Sequence, residues 1–131
     1  MDSELMTVHI TSVVNPVAAG RIINPKTARN QVLGSGAWAL HSAVVEQSVM
    51  DHCSGRHMTH NNAEYHVPVD AGVHNIDVIF VNEEDDKVNP LGIKGIGKAG
   101  VLGVAAAVAI AIYHATSKRV RNLPITIDKL L

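Results

Sequence analysis

The sequence predicts an α+β domain, a small mixed sheet with two main helices packed on it, and three stretches carry that expectation. Residues 76–81 (IDVIFV) form the clearest strand, apolar enough to sit centrally in a sheet. Asn24-Pro25-Lys26-Thr27-Ala28 has the chemistry of a helix start, with an N-cap asparagine and proline at the first helical position. Residues 92–100 (GIKGIGKAG) place four glycines and two lysines directly before a long apolar run.

In chain order, residues 7–14 (TVHITSVV) are β-branched and loosely alternating, which suits a strand ended by Asn15-Pro16. The first helix is expected from Pro25 to about residue 47, its buried face marked by Leu33, Ala37, Leu40 and Val44. The cluster Gly34-Ser35-Gly36 weakens this helix but lets another group approach its backbone. Residues 49–56 suit a short strand and a turn at Ser54-Gly55, and residues 64–69 a weaker extended segment. Residues 82–87 (NEEDDK) read as a charged, exposed loop. The second helix is expected from about Lys98 to Ala115; being apolar nearly all round, it should be buried on most faces. A short turn at 127–131 follows, and with no repeat or linker the expectation is one domain over residues 1–131.

With 47% apolar residues and a net charge of −1, the chain is globular and carries no basic stripe that would mark a nucleic-acid surface. The one basic cluster, Lys118-Arg119-Val120-Arg121, reads as a solvated edge. Cys53 is the only cysteine, which excludes an intrachain disulfide and suits a reducing, cytoplasmic compartment. The first residues lack a signal-peptide pattern. The longest apolar stretch, residues 99–113, is shorter than the ~20 residues a membrane span needs, so no membrane partner is expected.

The glycine loop contains a G-x-G-x-x-G match at residues 95–100. A dinucleotide fingerprint needs a strand directly before it and an acidic residue ~20 positions later. Here Asn89-Pro90 opens a loop before it, and Thr116-Ser117-Lys118 stands after it. A phosphate-binding G-x-x-x-x-G-K-S/T loop fails as well, because Ala99 follows Lys98. Two readings stay open: backbone amides gathered at a helix N-terminus for an anion, or a tight loop that lets the helix pack closely. Cys53, His57 and His60 are zinc-ligand types, with Asp51, His52 and His66 nearby, but the spacing is not that of a zinc finger. A polar turn is the simpler reading. His9, His41, His74 and His114 are scattered, and no Ser-His-Asp order is legible. Gln31, beside the small-residue cluster, is either an exposed helix residue or a ligand contact.

Four stretches then converge: residues 20–31 (GRIINPKTARNQ), 63–69 (AEYHVPV), 89–97 (NPLGIKGIG, followed by the Gly/Ala helix) and 123–126 (LPIT). In this order and spacing they resemble the C-terminal end of the molybdenum-cofactor-binding large subunit of the xanthine dehydrogenase and aldehyde oxidoreductase family, over about residues 8–131. The resemblance implies part of a larger molybdopterin-binding domain. It also implies hydroxylation of an aldehyde or N-heterocycle at a molybdenum–pterin centre, with a glutamate as general base and electrons leaving through iron–sulfur clusters. Gln31 matches the family glutamine that reaches the cofactor, and Gly95, Ile96 and Gly97 match the loop beside the molybdenum.

Lys98 stands where the family has its base glutamate, in the pattern G-x-G-E. An ammonium has no lone pair to take a proton with. At an exposed helix N-terminus it would also cost roughly 0.3–1 kcal/mol. Two further departures are Gly34-Ser35-Gly36-Ala37-Trp38, which lacks the family's fuller glycine pattern, and Ala18 in place of a frequent aspartate. The family's upstream cofactor segments and substrate funnel lie outside these residues. The resemblance therefore implies a cofactor-contacting fragment, inactive and without molybdenum–pterin when alone. The competing reading is a non-catalytic remnant or stand-alone interaction module. The partners implied are the remainder of the large subunit and iron–sulfur and FAD subunits. An apolar surface normally covered by that remainder is expected, with homo-oligomerisation to hide it.

Overall fold

The structure, a computed structural model, describes residues 8–67, 69, 72 and 74–131. The first helix, α1 (Pro25–Val44), starts as the sequence requires: Asn24 Oδ1 accepts from the amides of Lys26 at 3.1 Å and Thr27 at 3.3 Å. It stops three residues short of the expected 47, where the amides of Val45 and Glu46 both turn onto the His41 carbonyl. Its buried stripe also differs from expectation. Leu40 is buried, but Leu33, Ala37 and Val44 are only half-buried; the centre of the stripe is Ala28, Val32, Ser35, Gly36, Ala39 and Ala43. The large side chains mark one edge of the contact, while the small ones sit where the neighbouring backbone comes closest.

Strand β1 (Val13–Val17) pairs in parallel with the later strand Ile76–Phe80, from Val13 opposite Ile76 to Val17 opposite Phe80. The parallel pairing needs a crossover, and α1 lies within it. Asn15-Pro16 therefore does not end the strand but lies inside it. Proline is tolerated there because β1 is an edge strand among the described residues, so the missing N–H can fall on the unpaired side. A hairpin follows α1: β2 (Met50–Asp51) runs antiparallel to β3 (Arg56–His57). Asp51 closes its turn by accepting from the amides of Cys53 and Ser54. The extended segment expected at 64–69 forms no strand among the described residues. Asn61 instead folds Ala63 and Glu64 into a turn, and Pro68 lies outside the described residues. The strand Ile76–Phe80, β4, has β1 as its sole strand neighbour among the described residues and alternates in burial, with Ile79 52% exposed. Its continuous apolar run thus overstates how much of this strand is covered here.

The second helix, α2 (Val104–Thr116), begins six residues later than expected. Ala99–Val101 is a separate 3-10 turn; Leu102 is extended and Gly103 is left-handed at φ 80°, which breaks the chain direction before Val104. Its 13 residues span about 20 Å, against ~30 Å of bilayer hydrocarbon. Only Val104, Val108 and Ile112 are buried, whereas Ala106, Ala107, Ile110 and Ala111 are exposed. The expected burial on most faces is therefore not met, and an apolar helix face lies open.

Two cores result. One joins α1 to α2 through Leu40, Ala43, Val104, Val108 and Ile112, and is closed by Ile125 and Leu130. The Ile125 amide donates to the Ala43 carbonyl at 2.7 Å, and Lys118 Nζ donates to the carbonyls of Leu130 and Leu131. The basic cluster is thus no free edge: Lys118 ties down the final 3-10 turn, Ile127–Leu130, and Arg119 stacks on Tyr113. The second core is Val17, Ala19 and Val32, with Phe80, Ile96 and Ala99 packed on it beneath the glycine loop.

Gly100 links the two. A Cβ there would overlap Ser35 Oγ and stand 2.9 Å from the Val32 carbonyl, while Asn15 Nδ2 donates to the Gly100 carbonyl at 3.0 Å. Gly34 of α1 has open space around its Cβ position. In urea unfolding, Gly100→Ala is expected to lower stability by about 1–3 kcal/mol through overpacking. Gly34→Ala is expected to raise it by about 0.5–1 kcal/mol. Equal effects of the two substitutions would refute the Gly100 contact.

Candidate cofactor-contacting site

A groove of ≈ 470 Å³ runs between the start of α1 and residues 93–97, lined by Asn24, Thr27, Gln31, Ile93, Ile96 and Gly97 among others. Gln31 spans it: Nε2 donates to the Gly97 carbonyl at 2.7 Å, which leaves Oε1 as the acceptor it can offer. Gln31 and Gly97, matched separately in the sequence, are therefore direct partners. Ile96 points down onto the second core and anchors the loop.

The loop's other groups are turned outward. A Cβ built at Gly95 or Gly97 would meet nothing within 4 Å, and neither residue has a positive φ. Nothing in this fold, then, demands glycine at either position. Among the described residues, the amides of Gly95, Ile96, Gly97 and Lys98 also meet no acceptor. Uncrowded glycines with unclaimed N–H groups fit a bulky anionic group brought against the backbone, so the residues present are compatible with the molybdenum–pterin cofactor.

Lys98 is not where the sequence reading put it. It precedes the isolated 3-10 turn rather than α2, so the dipole penalty of a long helix does not apply. Its Nζ stands 4.0 Å from the centroid of the Trp38 ring, and neither residue lines the groove.

Sequence reasoning missed the bracing on the other side of the loop. Lys94 Nζ is 2.7 Å from Glu83 Oε1 and 2.8 Å from Asp85 Oδ2. The loop at 82–87 is thus only partly exposed: Glu83 and Asp85, two apart in an extended stretch, face the same side. That spacing was the available signal. Asp85 Oδ1 also accepts from the amides of Lys87 and Val88. The Lys94 ammonium, followed by these amides, holds the Asp85 carboxyl down at about 2, from 3.8. Asp85 and then Glu83 push Lys94 above its usual 10.5. Gly20, at φ 62°, bridges to Ile93 and packs on the Gly92 carbonyl, while Asn89 Oδ1 accepts from the amides of Leu91 and Ile93. These contacts give Asn89-Pro90-Leu91 its structural role.

The zinc idea is not supported. Among the described residues, no group of three or more His, Cys, Asp or Glu side chains is placed to hold a metal. Cys53 is exposed, His57 meets Ser48, and His60 meets Glu64.

A family model described as a molybdopterin cofactor-binding domain matches residues 1–74. The Escherichia coli K12 aldehyde oxidoreductase molybdenum-binding subunit PaoC is 44% identical over 124 residues, 95% of this chain and 17% of that subunit. The chain belongs to the molybdopterin cofactor-binding family of aldehyde oxidoreductase and xanthine dehydrogenase large subunits. The putative xanthine dehydrogenase molybdenum-binding subunit XdhA of E. coli K12 is 29% identical over 99% of the chain and 17% of its own length. Quinoline 2-oxidoreductase from Pseudomonas putida 86 superposes with a TM-score of 0.73 at 26% identity, over 91% of this chain and 15% of that one. The aldehyde oxidoreductase of Desulfovibrio gigas shares the fold, with a TM-score of 0.75 at 23% identity over 90% of this chain and 12% of its own. The molybdopterin family's α+β architecture is therefore present, in a chain spanning 12–17% of the length of these relatives.

Two outcomes are expected. Gln31→Leu removes the Gly97 hydrogen bond and speeds exchange of the Ala99 amide, which donates to the Ile96 carbonyl, with a stability loss of about 0.5–1.5 kcal/mol. As to pH, the Asp85 contribution is fully present above about 4 and lost as pH falls toward 2, because its folded value lies below the free 3.8. The Lys94 contribution is present below 10.5 and lost as pH rises through the elevated folded value. In Lys94→Met, urea midpoints should fall less steeply between pH 4 and 2 than in the unsubstituted chain.

Proposed function

We propose that this chain is the C-terminal, cofactor-contacting portion of a molybdenum hydroxylase large subunit, and that it is inactive as a catalyst because Lys98 replaces the base. The observation that carries the reading is the outward-facing loop, in which uncrowded Gly95 and Gly97 and unclaimed amides lie beside Gln31. The molybdenum–pterin group supplies the redox chemistry when bound. Gln31 Oε1 and the backbone of Gly95, Ile96 and Gly97 would hold it and keep its approach to the loop free of side chains. A general base must present a lone pair to the proton it takes; the side chain at position 98 carries an ammonium in ion–ring contact with Trp38 instead.

The remainder of the large subunit is the partner that completes the site. Its support is the open apolar face of α2, with Ile110 52% exposed, and Leu102 just ahead of that helix, 79% exposed, in a chain matching 17% of PaoC. Iron–sulfur and FAD subunits are the electron acceptors this reading implies, in the cytoplasm. Self-association through the same α2 face is the expected behaviour when that remainder is missing.

The test is a chimera in which residues 8–131 replace the corresponding region of PaoC. It should retain molybdenum by elemental analysis and show no dye-coupled aldehyde oxidation, and Lys98→Glu should restore oxidation. The chain purified alone should carry no molybdenum. Aldehyde oxidation by the unsubstituted chimera would overturn the assignment of Lys98, and failure of the chimera to retain molybdenum would overturn that of Gln31 and the loop.

A further inference from the structure

We infer that Trp38 is a positioning residue for the glycine loop, selecting a cation at position 98 and drawing that side chain out of the groove. Gln31 and Trp38 are seven residues apart on α1, two helical turns, and so lie on one face. The loop crosses that face with Gly97 held by Gln31 at 2.7 Å and Lys98 held by Trp38 at 4.0 Å to the ring centroid. Two consecutive loop residues are thus pinned by two side chains of one helix. The contacts differ in kind. The amide of Gln31 binds backbone and is indifferent to the loop's side chains, whereas the indole face, negative in its quadrupole, attracts an ammonium and repels a carboxylate.

Trp38 therefore reads the charge at position 98. A lysine is drawn onto the ring, away from the residues lining the groove, and a glutamate is turned off it. The inference lends weight to the reading of Lys98 under the proposed function, since it gives the lysine a place of its own in the fold. It rests on the residues of this chain alone.

Trp38 is the chain's single tryptophan, so its emission reports this contact directly. The chain should be compared with Lys98→Arg, Lys98→Met and Lys98→Glu by fluorescence and by exchange of the Ala99 and Val101 amides, which donate to the carbonyls of Ile96 and Lys98, with far-UV circular dichroism to verify folding. Lys98 is exposed, so all three variants should fold. Lys98→Arg should keep the emission and the exchange rates. Lys98→Met and Lys98→Glu should change the emission and raise exchange roughly two- to fivefold, the opening factor expected for an exposed cation–π contact. The proposal is overturned if Lys98→Met matches the unsubstituted chain in both measurements, or if Arg and Met shift them equally. These measurements need no cofactor, so their failure leaves the cofactor assignment standing, and failure of the PaoC chimera leaves Trp38 in place.

Discussion

Gly100 lies so close against α1 that no side chain fits between them, and the rest of the structure depends on that contact. Val32 and Ser35 meet Gly100 with no room for a side chain, and Asn15 reaches out of β1 to take up its carbonyl. This one junction joins β1, α1 and the segment ahead of α2. It explains why the buried stripe of α1 is built from Ala, Ser and Gly, and why a polar Asn15 is buried in a strand: its amide satisfies a carbonyl that would otherwise be stranded. It also sets the height of the glycine loop above α1, and so the width of the groove that Gln31 spans.

Around that junction the loop is held from several sides. Ile96 sinks into the core under it, Lys94 is braced by Asp85 and Glu83, and Gln31 and Trp38 grip consecutive residues from one helix face. What stays unheld are the amides of residues 95–98 and the open space at Gly95 and Gly97. A segment fixed at its flanks and turned outward in the middle presents backbone to a ligand without having to reorganise to do so.

The apolar face of α2 follows from the same geometry. The kink at Leu102 and Gly103 separates α2 from the 3-10 turn, and α2 then packs on α1 through one narrow stripe of Val104, Val108 and Ile112. On the opposite face Ala106 and Ile110 are as apolar as the packed stripe but stay exposed. A helix apolar all round is stable in water only when a second surface covers it, and the short span matched in much longer relatives says where such a surface belongs in the family.

Much of this was legible in the residues. Local chemistry settled the start of α1, because Asn24 and Pro25 act within a few residues of themselves, and likewise the Asp51 turn and the strand at Ile76. The motif order pointed to the family, and Gln31 and the glycine loop to the candidate site. What local patterns could not carry was distance. Nothing in the sequence says that Gly100 lies against Ser35, that Asn15 reaches across 85 positions to a loop carbonyl, or that Lys94 pairs with Glu83 and Asp85. For the same reason Asn15-Pro16 read as a break, though it sits in an edge strand, and Lys98 read as a helix N-terminal residue, though a left-handed Gly103 delays the helix. The sequence by itself determined which side chain stands at position 98 and that an ammonium cannot serve as a base. Only the tertiary structure decided where that ammonium goes, because the partner that draws it away, Trp38, lies on α1, 60 residues earlier, and is brought there by packing.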